Sequence, residues 1–200
     1  AGNALALDAG TAGNITLSAA LTGGGVMTVR DGAVQAYDAL TVGSLNIIDA
    51  TTSVTFGGAV DATTTIDVVS GGTIVQTGAV TAATNIDYDA GSTIALNAAI
   101  AASGTVAIDS TGVTTIASAG DINAGGAVTF GAAKSGTLTT SGDVDTSDDN
   151  ITFTRAVTLA AAVDIDSTGG SAGNILFSAA IATAGNNLTL DAGTAGNITL

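Results

Sequence analysis

The residues of this sequence that could carry chemistry are almost all carboxylates. All 17 acidic residues are Asp, the basic residues are Arg30, Lys134 and Arg155, and the sequence contains no His, Cys, Trp, Glu or Pro. Without His or Cys there is no imidazole base, thiolate nucleophile or usual zinc ligand set, because these chemistries need a group that titrates near neutrality or a soft donor. The oxygen donors that remain suit hard cations such as calcium.

Four Asp residues at outward strand positions are the candidate ligands for a metal ion: Asp67, Asp87, Asp145 and Asp164. The spacing of Asp67 and Asp87 equals the period of the repeat described below, so the two would stack on adjacent coils. Like charges directly opposite each other are unfavourable unless a cation bridges them. The sequence has neither the glycine-rich nonapeptide calcium repeat nor an EF-hand loop. Calcium is therefore the only cofactor that we consider, and its binding would rest on stacked carboxylates.

Six further Asp residues each follow a predicted strand, and we expect their side chains to shape corners by capping the backbone. They are Asp8, Asp49, Asp89, Asp109, Asp166 and Asp191. A carboxylate pair such as Asp143 and Asp145 could do acid–base work in principle. The two lie on neighbouring outward positions of one predicted strand, without loops to shield them from water, so we expect a protein that is not an enzyme.

The overall charge excludes several classes of partner. The formal net charge is -14, and nucleic-acid affinity comes largely from basic residues that neutralise phosphates. We therefore expect no binding to nucleic acid or to anionic membrane surfaces. No run approaches the roughly 18 apolar residues of a membrane-spanning helix, so we also expect no membrane insertion.

Short apolar-x-apolar segments recur with a period of about 20 residues, which is typical of a solenoid repeat. They fall into three sets. The first set begins at Leu5, Leu45, Ile66, Ile86, Val106, Val128, Val163 and Leu188, with Val26 filling the gap after Leu5. The second set begins at Ile15, Val54, Ile94, Ile175 and Ile198. The third set begins at Leu21, Val60, Val80, Ile100, Ile122 and Ile181. Alternation with period two indicates strands that are apolar on one side.

These sets predict an all-β fold, a parallel β-helix or β-solenoid of about nine to ten coils of roughly 20 residues, with three short strands per coil. Ala, Thr and Gly fill 40, 33 and 28 positions. Small side chains suit a narrow coil, and Gly interrupts any helical stripe. A strand of this length buries its apolar side only by stacking on the next coil. We expect residues 1–200 to form one continuous solenoid segment.

The coil register is ambiguous between Val128 and Val163. The segments there allow either a compressed coil that starts near Val144 or a long one that starts near Ile151. We expect an inserted bulge or corner loop in this region. It would carry either Lys134 or the acidic group of Asp143, Asp145, Asp148 and Asp149.

A longer repeat joins the two ends of the sequence. Residues 1–17 and 184–200 align without a gap at an offset of 183 and match at 15 of 17 positions. Nine coils between Leu5 and Leu188 would agree with the coil length read from the strands. We therefore expect the chain to be an internal excerpt of a longer tandem-repeat protein that continues beyond Leu200 with a sequence close to residues 18–21. Open strand edges at both ends would favour end-to-end or lateral self-association into fibres.

The repeated phrases resemble a known family. Gly-Asn-Ile-Thr-Leu-Ser-Ala-Ala-Leu (13–21), Ser-Val-Thr-Phe-Gly-Gly-Ala-Val (53–60) and Asn-Asn-Leu-Thr-Leu-Asp-Ala-Gly (186–193) are similar to repeats of filamentous-haemagglutinin-like bacterial exoproteins, which are large secreted adhesins. The resemblance covers essentially the whole chain. It implies a right-handed parallel β-helix and a bacterial protein that is secreted, extracellular or at the cell surface, and it transfers no functional residue.

Together these observations favour a non-enzymatic, adhesin-like fibre or stalk of a cell surface or extracellular matrix. The alternative is a carbohydrate- or ice-binding module that uses a solenoid face rich in Thr and Asn, with surface glycans as partners. The outward side chains separate the two. Aligned Thr on successive coils would favour binding, whereas a mixture of Asp, Thr, Ala and Asn would favour a shaft.

Overall fold

The computed structural model describes residues 2–131, 133–169 and 173–200, and these form a parallel β-solenoid of about ten turns without a helix. Each coil contributes three strands, and each strand pairs with its counterpart one repeat later in the chain. Thr, Val and Ile favour the pleated backbone, and Gly-containing groups end many of the strands after a few residues. The all-β solenoid predicted from the sequence is confirmed.

The strands stack into three parallel ladders, which we call face 1, face 2 and face 3. Face 1 consists of β1 (Leu5–Leu7), β4 (Val26–Val29), the first half of β7 (Ser44–Phe56), β9 (Ile66–Ser70), β12 (Ile86–Ala90), β15 (Val106–Ser110), β18 (Val128–Phe130), β21 (Ile151–Phe153), β24 (Ile175–Phe177) and β27 (Ile198–Thr199). Face 2 consists of β2 (Ile15–Leu17), β5 (Gly32–Tyr37), the second half of β7, β10 (Thr73–Gln76), β13 (Ile94–Leu96), β16 (Thr114–Ile116), β19 (Leu138–Thr140), β22 (Val157–Leu159) and β25 (Ile181–Ala182).

Face 3 consists of β3 (Leu21–Thr22), β6 (Leu40–Val42), β8 (Val60–Ala62), β11 (Val80–Ala82), β14 (Ile100–Ala102), β17 (Ile122–Ala124), β20 (Val144–Thr146), β23 (Val163–Asp166) and β26 (Leu188–Asp191). Most of its strands have three residues, so one side chain points outward between two that point into the coil.

The core is a continuous column of side chains that runs inside the three ladders. Phe130, Phe153 and Phe177 stack on successive coils of face 1 with ring centroids 5.0 and 4.4 Å apart. Such stacked rings contribute beyond their buried area. Tyr37 and Phe56 stack in the same way on face 2, at 5.9 Å. Every coil therefore buries its apolar side chains mainly against the coils above and below.

Several polar side chains also point into the column, which the sequence pattern did not predict. The Tyr37 hydroxyl donates to Gln35 Oε1 at 2.7 Å, and Gln35 Nε2 donates to the carbonyl of Asp49. Gln76 is fully buried, and its Nε2 donates to the carbonyls of Gly78, Ala98 and Ala99. These amides satisfy backbone carbonyls where a coil turns, a function that apolar side chains cannot perform.

The ambiguous coil begins at Ile151. Val128 pairs with Ile151, which makes this coil longer than the regular one and excludes the compressed coil that starts at Val144. The corner between Phe130 and Leu138 is lengthened and carries Lys134, in agreement with one of the two predicted positions for the insertion. Val144 pairs with Ile122 on face 3, so the step from Val128 to Val144 is not a full coil.

Beyond this point the assignment of segments to faces differs from the sequence-based prediction. Val163 and Leu188, predicted to be on the first ladder, pair with each other on face 3. Ile175 and Ile198, predicted to be on the second ladder, pair on face 1, and Ile181 lies on face 2. The path from Leu5 to Leu188 is therefore eight and two-thirds coils, and the expectation of nine whole coils was wrong.

The physical cause is a run of short corners. A regular coil has one long step between strands and two short ones, yet four short steps follow one another from Leu138 through Val144, Ile151 and Val157 to Val163. Each step turns one corner. The two additional short steps therefore carry the chain two-thirds of a turn further around the axis before the next long corner. The long corner then follows face 3 instead of face 1. The spacing of repeats in the sequence depends on the lengths of the corners. The length of a corner alone does not determine which face the next strand joins.

Candidate functional site

The predicted stack of Asp67 and Asp87 is present on face 1. The two residues are directly paired on β9 and β12, with both side chains directed outward. Burial raises the pKa of Asp67. The pKa of Asp87 is raised first by burial and then by the negative charges of Asp67 and Asp109. The stack is therefore a place where the fold holds like charges close together.

Asp145 and Asp164 belong to a larger acidic surface on face 3. Asp145 pairs with Asp166, and Asp166 pairs with Asp191 on the next coil. Asp164 lies on the other side of the inward-pointing Ile165, and its N–H donates to Asp143 Oδ1 at 2.7 Å. Burial, followed by neighbouring Asp charges, raises the pKa of both Asp145 and Asp164. The two candidate ligands are thus brought into one acidic surface, although they are not paired with each other.

The six predicted corner carboxylates divide into three groups. Asp8, Asp166 and Asp191 accept hydrogen bonds from N–H groups two residues later, as predicted for corner residues. Asp49 lies inside β7, which runs through that corner as a continuous strand. Asp89 and Asp109 instead accept hydrogen bonds from basic side chains.

Asp89, Asp109, Lys134 and Arg155 form one network at the corner between faces 1 and 2, which we call the charged corner. Lys134 Nζ contacts Asp89, and its backbone N–H donates to Asp109 Oδ2 at 3.0 Å. Arg155 Nη2 donates to Asp109 Oδ1 at 2.7 Å. Two of the three basic side chains in the chain therefore converge on two carboxylates, which the sequence analysis did not predict.

Arg155 reaches down across two coils. Its side chain is 1% exposed, and Nη1 donates to Ser110 Oγ at 3.0 Å and to Thr114 Oγ1 at 3.1 Å. Burial lowers the pKa of Arg155, while the charge of Asp109 and its hydrogen bond raise it. The path passes Gly131, which has φ +80°, and a Cβ at this position would lie 2.3 Å from Arg155 Nε. Only glycine fits both constraints.

The calcium prediction stays a prediction. Within residues 2–131, 133–169 and 173–200 no three acidic side chains lie close enough together to hold a metal ion. The carboxylates stack along the ladders, and two adjacent carboxylates such as Asp67 and Asp87 offer fewer oxygens than the six to eight that calcium takes. Any bridge at Asp67 and Asp87 would therefore be completed by water.

The outward side chains differ from coil to coil on every face. Face 2 carries Thr115, Thr139 and Thr158 on three successive coils, the longest such run along the described ladders. Face 3 has a shallow groove of about 490 Å³ lined largely by Ala, Thr and Ser side chains around Thr81 and Ala101. The remaining outward positions mix Ala, Asp, Asn, Val, Ile, Leu and Thr. No face presents aligned Thr along the whole described part of the solenoid.

Comparisons with protein-family models, with curated proteins and with solved structures find no match for this chain. The structure itself establishes a parallel β-solenoid repeat protein. Among the described residues there is no helix long and apolar enough to cross a membrane.

The stacked carboxylates give a testable dependence of stability on pH. Because the pKa of Asp87 is raised in the folded state, the folded protein takes up protons before the unfolded chain does. Stability should therefore increase as the pH falls from neutrality through the raised pKa of Asp87 towards the ordinary pKa of an aspartate. Asp87→Asn should raise the melting temperature at neutral pH by about 1–3 °C. Thermal melts followed by circular dichroism at several pH values measure both effects.

Asp61→Asn is the matched control, because the ladder neighbours of Asp61 are Thr41 and Thr81. Its melting temperature should equal that of the parent chain. High salt should reduce the difference between Asp87→Asn and the parent, because exposed charges are screened. Equal effects of the two substitutions would show that repulsion between stacked carboxylates does not limit stability.

Proposed function

We propose that this protein is a rigid shaft, a non-enzymatic structural fibre or stalk of a cell surface or extracellular matrix. The observation that carries the proposal is the unbroken ladder on face 1, which runs through ten paired strands from Leu5 to Ile198. Nine steps between these strands span about 43 Å at the usual strand spacing. Such a stack resists bending because every coil is hydrogen-bonded along three faces.

The outward surface supports the same proposal. Mixed side chains along each face match what a spacer needs, since a spacer has to be soluble and stiff and does not have to recognise a regular target. The net charge of -14 keeps such shafts soluble. The likeness to secreted bacterial adhesin repeats adds an extracellular or cell-surface location to the proposal.

The second candidate function is carbohydrate or ice binding. It is favoured by one observation, the run of Thr115, Thr139 and Thr158 on face 2. Three successive coils give a hydroxyl surface of about 10 Å, which is short for a repeating target such as an ice lattice. Replacing all three Thr by Ala removes the hydroxyls, so binding of glycans or ice that survives this change would count against this candidate.

The shaft proposal predicts a length that is set by the number of coils. Thr28 and Leu176 point outward on face 1 and are separated by seven ladder steps, or about 34 Å. The chain has no cysteine, so spin labels can be placed at Thr28→Cys and Leu176→Cys alone. Pulsed electron–electron double resonance, on labelled chains diluted with unlabelled protein, should show one narrow distribution of the distance between the two labels.

A deletion of residues 66–85 provides the sharpest version of this test. Ile66 pairs with Ile86, so the deletion joins equivalent points on adjacent coils and removes one coil without changing the register of the others. The label distance should shorten by about 4.8 Å and stay narrow. A broad distribution in the parent chain, or an unchanged distance after the deletion, would contradict a rigid shaft.

A further inference from the structure

Face 1 carries a strip of exposed side chains that extends over four successive coils. The strip has two rows, because outward positions recur at every second residue of a strand. The first row consists of Thr28, Asn46, Asp67 and Asp87. The second row consists of Arg30, Ile48, Val69 and Asp89. Each row therefore begins with a hydrogen-bond donor or a cation and ends with a carboxylate.

Arg30 is the basic residue that the fold leaves available. Lys134 and Arg155 are both held in the charged corner. Arg30 is exposed, and it makes no ion pair with any of the residues that the structure describes. Its ladder neighbour Asp8 accepts a hydrogen bond from the N–H of Gly10 instead. The guanidinium is therefore free to bind a carboxylate of another molecule.

Asp67 and Asp87, on the same face, lack a counter-charge. They are stacked directly on each other, and with Val69 and Asp89 they line a groove of about 270 Å³. Asp89 contacts Lys134, whereas no basic side chain in the described part of the chain forms an ion pair with Asp67 or Asp87. A cation that enters this groove would relieve the repulsion between the two carboxylates.

Two apolar side chains lie between the cation and the carboxylates of the second row. Ile48 is 52% exposed and Val69 is 38% exposed. Ile48 follows Ile47, which pairs with Val68, so the two exposed side chains lie on neighbouring coils. Their removal from water would favour association. The second row thus presents a cation, two apolar side chains and an anion in this order along the solenoid axis.

We infer that a second copy of this chain packs on this strip, face 1 against face 1, with the two solenoids antiparallel. The inference rests on the proposed shaft function and names a lateral partner for the shaft. A two-fold axis along the strand direction, between the coils of Ile48 and Val69, sets the first coil of the strip against the fourth coil of the other copy. Arg30 of one copy then lies over the groove beside Asp87 of the other.

The other positions of the strip are complementary under the same two-fold axis. Thr28 of one copy comes opposite Asp87 of the other, and Asn46 comes opposite Asp67. Hydroxyl and amide groups donate hydrogen bonds to carboxylates. Parallel solenoids would instead place Arg30 near Arg30 and Asp87 near Asp87, and like charges repel. Charge complementarity therefore favours the antiparallel pair.

The contact is small, so the association is weak. The strip spans three ladder steps, or about 14 Å, and the net charge of -14 on each chain opposes association. Small interfaces are typical of transient complexes. We therefore expect dimers only at high protein concentration, with a dissociation constant above about 10 µM.

Single spin labels test the antiparallel geometry in the full chain. Thr129 and Leu176 lie on face 1, three and a half and five and a half ladder steps from the two-fold axis. Labels on the two copies of an antiparallel dimer should therefore be about 34 Å apart for Thr129→Cys and about 53 Å apart for Leu176→Cys. Pulsed electron–electron double resonance on fully labelled protein at high concentration measures both distances. Parallel dimers would give one short distance at both positions.

Substitutions test which side chains make the contact. Arg30→Met and Asp87→Asn should each weaken dimerisation at least about tenfold in sedimentation equilibrium, and the double variant should be little weaker than either single variant. The reason is that each substitution removes the same ion pair. Asp87→Asn should weaken the dimer although it raises the melting temperature, which separates the loss of pairing from a loss of folding.

Ile48→Asp should abolish dimerisation at concentrations up to about 1 mM, because it places a charge at the centre of the contact. Val113→Asp is the matched control. Val113 is 41% exposed and lies directly before β16 of face 2, so the substitution adds the same charge away from the strip. This variant should dimerise like the parent chain.

Three outcomes would overturn the inference: a chain that stays monomeric up to about 1 mM, a short label distance at both positions, or equal effects of Ile48→Asp and Val113→Asp. The intramolecular distance between labels at Thr28 and Leu176 is measured on diluted chains and does not depend on pairing. A monomer with a narrow intramolecular distance would refute lateral pairing alone, whereas a broad intramolecular distance would refute the shaft.

Discussion

Replacing Arg155 by Met should lower the free energy of unfolding by about 3 kcal/mol, since removing one partner of a buried ion pair typically costs about 3–5 kcal/mol. The cost arises because the other charge stays buried without compensation. Asp109 keeps the backbone donors of Ala133 and Lys134, which places the expected cost at the lower end. Ser110 and Thr114 also lose a donor inside the coil. Urea unfolding followed by circular dichroism measures the change.

Arg30→Met is the matched control, because Arg30 is exposed and the same atoms are replaced. Its effect should stay within about 0.5 kcal/mol. The double variant Asp109→Asn with Arg155→Met should be more stable than the two single costs predict, since removing both charges removes the uncompensated one. A cost below about 1 kcal/mol for Arg155→Met would mean that the charged corner does not hold the coils together.

The parallel solenoid and its three strands per coil could be predicted because they depend on local rules. Alternation with period two marks the strands, glycine marks the corners, and the one-coil spacing of Asp67 and Asp87 gives the ladder that the structure contains. The four candidate ligands Asp67, Asp87, Asp145 and Asp164 were correctly assigned to outward positions for the same reason.

The face occupied by a strand could not be predicted in the same way. Leu188 resembles Leu5 because both precede a long corner, yet the two lie on different faces. The face depends on how many corners the chain has turned, and one misjudged segment near Val144 shifts every later strand. The charged corner was not predicted because Arg155 contacts residues two coils earlier in the chain, across Gly131. No local sequence pattern indicates a side-chain contact over that distance.

The corners themselves are close-packed, which leads to the second prediction. Gly91 stacks on Gly71 at the corner between faces 1 and 2, and a Cβ at Gly91 would lie 2.1 Å from the Gly71 carbonyl oxygen. The obstacle is backbone, so relief requires adjacent coils to separate, which disturbs the hydrogen bond from Gly91 N–H to the Ser70 carbonyl at 2.6 Å. Gly91→Ala should therefore cost about 1–3 kcal/mol of unfolding free energy in urea melts.

Gly24→Ala separates this effect from the general consequence of replacing glycine. Gly24 is also an exposed corner residue, but the nearest atoms to its Cβ position are 4.0 Å away. Where alanine fits without strain, it reduces the entropy of the unfolded chain, so Gly24→Ala should be neutral or stabilising by up to about 1 kcal/mol. Replacing glycine by alanine should therefore lower the free energy of unfolding at Gly91 but not at Gly24, because only at Gly91 does the neighbouring coil approach closely. Equal effects at the two positions would show that the distance between stacked corners does not limit stability.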